Sequence, residues 1–356
     1  MARAGFGLLI PARNEGSVLE RKLRNCARLV WPATAGLRRV VVVDDNSDDD
    51  TWAVATSCMA QLRGEHPEVE WLLVEGPGCG KATAIERGVR ALGNVELVVL
   101  TDADVVLREA SLIALAEAFR EDTDLILACG AQEFVRDLAE DGSTSAANGG
   151  APQNASEFFD RITAKVRHWE SRGGKLFSVH GQLMAWRPVP GLLPRPGFSA
   201  DDLDLMFTVR SRGGGVRLVQ GARFLEVKPK SGVLRNGQRR RRAEGYFHVL
   251  RAWSCLAPLG ASWSSRVQWF FYAYVPALAP ALLLLFVPAG LGLGWLLGGW
   301  RGACAVAAVW GLFLISRLGR EVLGLALVID AARRAEPVKP EKVDRLLDRW
   351  EPPRAR

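Results

Sequence analysis

Asp102 and Asp104, with one alanine between them, follow directly on the apolar run Val98-Val99-Leu100-Thr101. Two carboxylates this close repel each other unless a cation or hydrogen-bond donors compensate. Hard divalent ions take such oxygen ligands, and magnesium is usually held by one or two carboxylates together with substrate phosphates. The pair therefore reads as one side of a metal–phosphate site. The plainer alternative is a solvated turn, where Asp is common, and a motif this short does not decide between them. Other polar groups share the placement. Arg13-Asn14-Glu15 come just after the apolar residues Phe6–Ile10, and Asp44-Asp45-Asn46-Ser47 come just after Arg39–Val43.

Something must hold these groups side by side. Segments that are apolar at consecutive positions, rather than alternating, read as buried parallel strands. Phe6–Ile10 (stopped by Pro11), Arg39–Val43, Val69–Val74, Val98–Thr101 and Leu125–Cys129 are read as strands in this way. Helical spacing lies between them: Val18, Leu19, Leu23, Cys26 and Leu29, with Asn14 or Ser17 as N-cap and Trp31-Pro32 as terminator. Thr51–Met59, Lys81–Leu92 and Ser111–Arg120 are further predicted helices. The alternation implies parallel strands with right-handed crossovers. Such sheets bind ligands at the carboxyl ends of their strands, which is where Glu15, Asp45 and Asp102 fall.

Gly76-Pro-Gly-Cys-Gly-Lys81 looks like a phosphate-binding P-loop. It lacks the spacing of two glycines around four residues before Lys-Ser/Thr, and Ala82 stands in the hydroxyl position. A nucleotide triphosphatase is excluded on that ground. A lysine at the N-terminus of a helix opposes the helix dipole, so Lys81 suits a nearby anion better than it suits the helix.

Taken in order, "PARNE", "VVVDDNSDDDT", "GKATAIERGV" and "LTDADVVL" resemble the nucleotide-sugar domain of family 2 glycosyltransferases, in particular their membrane-anchored, cellulose-synthase-like branch. The resemblance covers roughly residues 5–265. It implies a GT-A fold, an α/β Rossmann-like, mixed but mostly parallel sheet flanked by helices. It also implies that Asp45 contacts the base of a nucleoside diphosphate sugar, with uridine as the expected base. Asp102 would hold the ribose or the metal sphere, Asp104 would ligate Mg2+ or Mn2+, and Glu15 and Lys81 would line the nucleotide pocket. A metal there would neutralise charge developing on the leaving diphosphate.

Further along, Val179–Arg187 resembles the family's acceptor-side "GxxxAxR" segment, where Gly181 would allow close backbone approach and His180 is equally readable as an ordinary loop histidine. Asp201-Asp202 precede Leu203, Phe207 and Arg210 at helical spacing, so they stand at a predicted helix N-terminus, where the dipole favours acids. Capping alone would account for them. Inverting members of the family place such a pair here, the second acid being the general base. By that resemblance Asp202 is the catalytic base and Asp201 supports it. Gln238 begins a "QxxR" element in which Arg242 stands where processive synthases have a tryptophan. The missing tryptophan argues against a polysaccharide synthase. Gln238, Arg239 and Arg241 would close over the diphosphate, a role suited to forked guanidinium hydrogen bonds.

The formal net charge of +7 does not point to nucleic acid. The excess is local, with Arg235, Arg239–Arg242, Arg251 and Arg266 before an apolar region and Arg317, Arg320, Arg333 and Arg334 towards its end or beyond, and no nucleic-acid motif accompanies it. The six scattered cysteines lack metal-ligand spacing and read as reduced structural thiols. Gly5–Ile10 is too short for a cleavable signal peptide, so the N-terminal part is expected in the cytosol. Tyr246–Val267 mixes aromatics and arginines as interfacial segments do. From Trp269 to Trp300 no residue is charged, longer than the ~20 apolar residues a span needs. The expected organisation is a GT-A domain over 1–235 and a basic interfacial segment over 236–267. A transmembrane hairpin of about two helices over 268–330 and a charged tail over 331–356 would follow. Ala139–Ser156, rich in Gly, Ser, Ala and Asn, is expected to be a loop. The function implied is transfer of a sugar from a nucleotide donor to a lipid or glycan acceptor at the inner (plasma) membrane. A processive exopolysaccharide synthase and a non-catalytic membrane subunit are the alternatives.

Overall fold

The structure, a computed structural model, describes residues 5–135, 137–139, 143, 155–227, 233–253, 263–315, 326–327, 329–332 and 334. For 155–162, 233–239, 277, 279–280, 282–284 and 313–315 it describes the backbone alone. Most of the expected loop 139–156 and of the tail 331–356 lies outside the described residues. The described residues fall into two compact units, the first within Met1–Gln153 and Glu157–Pro229, the second within Asn154–Ser156 and Lys230–Pro337.

The first unit is built on one eight-stranded sheet of order β3-β2-β1-β4-β7-β6-β8-β5. Its elements run β1 (Gly5–Ala12), α1 (Gly16–Ala27), β2 (Leu37–Asp44), α2 (Thr51–Glu65), β3 (Glu70–Glu75), α3 (Lys81–Leu92), β4 (Leu97–Thr101), β5 (Val106–Leu107) and α4 (Ser111–Glu121). Then come β6 (Leu125–Val135), α5 (Ala155–Arg172), β7 (Leu183–Trp186), α6 (Asp201–Ser211) and β8 (Gly215–Val227). Strands β1 to β4 are mutually parallel where they pair. The antiparallel strand β7 joins β4 to β6, and β6 runs parallel to β8. Leu8, Leu9, Ile10 and Val40–Val43 are wholly buried, as strands covered on both faces must be. The chain reverses its direction of progress across the sheet between β1 and β4, the switch point at which open α/β sheets form their crevice.

Several expectations are sharpened. β1 continues through Pro11 to Ala12, because beyond Leu9 it pairs with β2 alone and a missing N–H is tolerated on a half-paired strand. The N-cap of α1 is Glu15, neither Asn14 nor Ser17, and α1 ends at Ala27, before Trp31-Pro32. Its cap is supplied from the loop after β2: Gly16 donates its N–H to Asp49 Oδ2 at 3.1 Å. β6 runs past Cys129 to Val135 with a register shift at Gly130, where a side chain would press on the Ala222 carbonyl at 2.9 Å. Gly88 brings α3 down onto the sheet, since a Cβ there would collide with Leu9 and lie 3.0 Å from Val43.

The second unit contains α7 (Val233–Trp253), α8 (Trp263–Trp269), a π-helical turn (Phe270–Tyr274) and α9 (Val275–Ile315). α9 is interrupted at Gly298-Gly299, the latter at φ +60°, a conformation glycine adopts without steric cost. Its two arms fold against each other: a Cβ on Gly294 would lie 2.8 Å from the Gly302 carbonyl, and Phe286 and Trp310 meet edge to face at 5.9 Å. Among the described residues no helix is long and apolar enough to cross a membrane. The region expected to be a transmembrane hairpin is thus a helical hairpin in shape, and its spanning a membrane gains no support from the fold.

Candidate active site

The carboxyl ends of β1, β2 and β4 supply the first set of groups. Asp45 N–H donates to Ala12 O at 2.8 Å, locking the ends of β1 and β2 together. Both Asp45 carboxylate oxygens accept backbone N–H groups of the glycine loop, Gly78 and Gly80 each at 2.8 Å. The positive φ of both glycines and the lack of room for a Cβ on Gly76 explain why the loop is glycine-rich. Asp45 is therefore buried and already holds the loop that leads into α3. A carboxylate has about four lone-pair sites, so a further donor can still be accepted.

That loop delivers Lys81 to the first position of α3. Its Nζ donates to Asp102 Oδ1 at 2.7 Å and lies 3.8 Å from Asp201 Oδ2. Burial works against the ammonium, yet Asp102, Asp201 and the hydrogen bond to Asp102 together hold its pKa above the usual lysine range. Lys81 is the cation between two acids from distant parts of the chain. A lysine is tolerated at this helix N-terminus because neighbouring carboxylates outweigh the local dipole repulsion.

Asp102 is tied to the other half of the sheet, because its N–H donates to the Gln182 carbonyl just ahead of β7, at 3.3 Å. One residue before Gln182 stands Gly181, whose missing side chain leaves space for Asp202: a Cβ there would sit 3.2 Å from Asp202 Oδ2. The acids of α6 thereby come beside the turn after β4. Asp201 is buried, and its Oδ2 has no hydrogen-bond partner. Burial raises its pKa, with Lys81 opposing. Burial first and Asp201 second push the Asp202 carboxyl up to about 6, while its Oδ1 accepts the Leu203 N–H at 2.8 Å. Asp204, the third acid of that turn, plays a different part. It is fully buried in a forked ion pair with Arg195 and anchors the preceding loop.

Glu15, the N-cap of α1 three residues beyond β1, completes the acidic wall. Partial burial, then Asp104, Asp102 and Asp49, raise its pKa to about 7. Asp104 stands at the tip of the turn with one side open to solvent, and partial desolvation followed by the charge of Asp102 lifts its pKa as well. Glu15, Asp102 and Asp104 thus form an excess of negative charge that a cation would relieve. Among the described residues no three His, Cys, Asp or Glu side chains converge to hold a metal on their own. A divalent ion here would need oxygens from a ligand, the usual situation for magnesium with phosphates.

The structure brings Glu15, Asp45, Lys81, Asp102, Asp104, Asp201 and Asp202 to one edge of the sheet. It does not test Gln238 and Arg239, whose side chains lie outside the described residues; Arg241 is exposed on α7 in the second unit. His180 takes a packing role: Nδ1 meets Gly130 O at 3.1 Å, Arg167 contacts Nε2, and the ring stands edge-on to Phe224. Sequence reasoning missed Lys22. It is wholly buried in α1, and its Nζ donates to Thr101 Oγ1 at 2.7 Å and Val105 O at 2.9 Å. The available signal was its spacing, three residues after Leu19 and four before Cys26, which puts it on the apolar face of the helix.

A family model described as "Glycosyltransferase like family 2" matches residues 3–246. Among solved structures, the mannosyltransferase PcManGT of Pyrobaculum calidifontis, in complex with GDP-Man and Mn2+, is similar at 21% identity and TM-score 0.64, over 98% of this chain and 88% of that one. TarS of S. aureus (residues 1–349), in complex with UDP-GlcNAc, is similar at 12% identity and TM-score 0.51, over 92% of this chain and 90% of that one. At these identities the likeness concerns the fold. No curated protein sequence matches.

Proposed function

The chain belongs to glycosyltransferase like family 2, and on that premise we propose that it is a metal-dependent, inverting glycosyltransferase using a nucleoside diphosphate sugar. One observation carries the reading. Lys81 ties Asp102, on the donor side of the sheet, to Asp201, so Asp202 stands next to the acidic turn with its carboxyl lifted to about 6. The metal complement of the mannosyltransferase and the nucleotide sugars bound by both structural neighbours support the same donor class.

Glu15, Asp102 and Asp104 fit a divalent cation by charge, and Asp104 with Asp102 would hold it. Mg2+ or Mn2+ bound there would offset charge on the departing diphosphate. Asp45 holds the glycine loop and is assigned to the base, and Lys81 supplies a fixed positive charge beside the diphosphate. Asp202 accepts the proton of the acceptor hydroxyl as that oxygen attacks the anomeric carbon and the bond to the diphosphate breaks on the opposite face. A carboxyl lifted towards neutral is a better proton acceptor than an ordinary one. Burial is the main cause of that elevation, and the like charge of Asp201 adds to it. Gln238, Arg239 and Arg241 are assigned to the diphosphate by motif. The acceptor is proposed to be a lipid or glycan presented at the cytosolic face of the plasma membrane, in keeping with the exposed apolar surface of α9.

The test is release of nucleoside diphosphate from a panel of UDP- and GDP-sugars by the detergent-purified chain, with and without Mn2+ or Mg2+, and with membrane lipid extract as acceptor source. Asp104→Ala should abolish the metal stimulation. Asp202→Asn should keep nucleotide binding and lose about 10²–10⁴ in transfer rate. Wild-type transfer by Asp202→Asn would place the base elsewhere.

A further inference from the structure

α1 lies against the acidic turn and the short strand β5 that follows it, and grips them through two buried polar side chains. Asn25 pairs with the backbone of Leu107 in both directions, its Nδ2 donating to Leu107 O at 2.9 Å and its Oδ1 accepting Leu107 N–H at 2.8 Å. Lys22 reaches Thr101 Oγ1 and Val105 O. Thr101 and Val105 are the residues immediately before and after Asp102-Ala103-Asp104, so a single ammonium group fastens both shoulders of the turn. The neighbours of Lys22 on this face, Leu19, Leu23 and Cys26, are buried and apolar. An apolar residue would pack there without the desolvation penalty of a buried charge. Burial lowers the Lys22 pKa to about 8, and the charges of Asp102 and Asp104 are among those that work against this and favour the ammonium.

We propose that Lys22 is a positioning residue for the divalent-cation site: it fixes the spacing of Asp102 and Asp104 by clamping Thr101 and Val105, and its charge lets the two carboxylates approach before the cation arrives. The inference rests on the reading of that turn as a metal site. The two effects of removing the lysine oppose each other, since losing a positive charge favours a cation while freeing the turn disfavours it. With one hydrogen bond at each end of a three-residue turn, the geometric effect dominates. Partners that orient the ligands of a metal typically account for 10–100-fold in its affinity.

The experiment is titration of the full chain with Mn2+ in the presence of UDP or GDP, following free Mn2+ by electron paramagnetic resonance. It is run on wild type, Lys22→Met and Thr101→Val, each below its own melting transition. Lys22→Met should weaken Mn2+ binding by about tenfold or more. Thr101→Val, which keeps the lysine and removes one of its anchors, should weaken it by a smaller factor. The double variant should be no weaker than Lys22→Met, because both act through one clamp. A lysine serving packing alone would lower the melting temperature and leave the Mn2+ constant of the folded protein unchanged. Unchanged or tighter Mn2+ binding in the variants, against a wild type that binds, overturns the inference. A wild type that binds no Mn2+ overturns the metal reading itself. Should Lys22→Met fail to fold, Thr101→Val decides alone.

Discussion

Asp202 and Asp204 lie two residues apart in the same helical turn, and their environments give them opposite relations to stability. The folded-state pKa of Asp202 is raised from 3.8 to about 6, so the folded chain binds its proton more tightly than the unfolded chain does. Its contribution to stability is present below about pH 4 and is lost as pH rises through about 6. Asp202→Asn should therefore melt a few degrees higher than wild type at pH 7.5, with the gain vanishing near pH 4, while its transfer activity collapses. Wild-type kcat/KM should fall on the acid side through about pH 6, as the base takes up a proton. Asp204→Asn should do the reverse, breaking the ion pair with Arg195 and costing roughly 1–3 kcal/mol once the partial exposure of Arg195 is discounted. A higher melting temperature for Asp204→Asn, or a lower one for Asp202→Asn at pH 7.5, would contradict this division. The sequence shows that three acids open a helix. It does not show which of them has a cation, because Arg195 and Lys81 reach them through tertiary packing.

At the scale of elements, the parallel half of the sheet was legible because its strands are uninterrupted apolar runs and α3 has one clear apolar face. β7 was not recognised as a strand: Leu183–Trp186 is four residues long, and its identity depends on β4 and β6 flanking it. The α1 cap was misassigned for a related reason, since Asp49 reaches Gly16 across the sheet edge and local sequence carries no trace of the contact. The site depends on how closely α3 lies on the sheet, which Gly88 controls. Gly88→Val would press a branched side chain into Leu9 and Val43 and should destabilise the fold by about 1–3 kcal/mol, read as a lower melting temperature. Because Lys81 begins the same helix, donor KM should rise more than kcat falls. A variant with unchanged donor KM would show that Lys81 is positioned by its carboxylates rather than by the helix.

For the whole molecule, apolar exposure is concentrated where the sequence is least charged. In α9, Leu285, Phe286, Leu293, Trp295, Leu296, Leu297, Trp300, Val309 and Leu312 are exposed, Leu296 and Leu297 by 82% and 80%. Soluble monomers rarely expose contiguous apolar patches beyond a few hundred Å², so this surface calls for a cover. The glycine-mediated contact between the arms of α9 uses the small residues that let helix backbones approach closely in lipid, where packing rather than water drives association. α7 and α8 carry arginines, a residue type that an anionic surface attracts. On the proposed membrane acceptor, the expressed chain should sediment with membranes, resist release by high salt, and come off with mild detergent. Removal of residues 268–330 should free it from the membrane while Mn2+–nucleotide binding by the sheet persists. Release by salt alone would mean that the arginines, and not the apolar hairpin, make the attachment. A chain that stays monodisperse in aqueous buffer would show that the apolar arms are covered by protein. If the acceptor is lipid-borne, as proposed, transfer would then have to occur by encounter, not by residence at the bilayer.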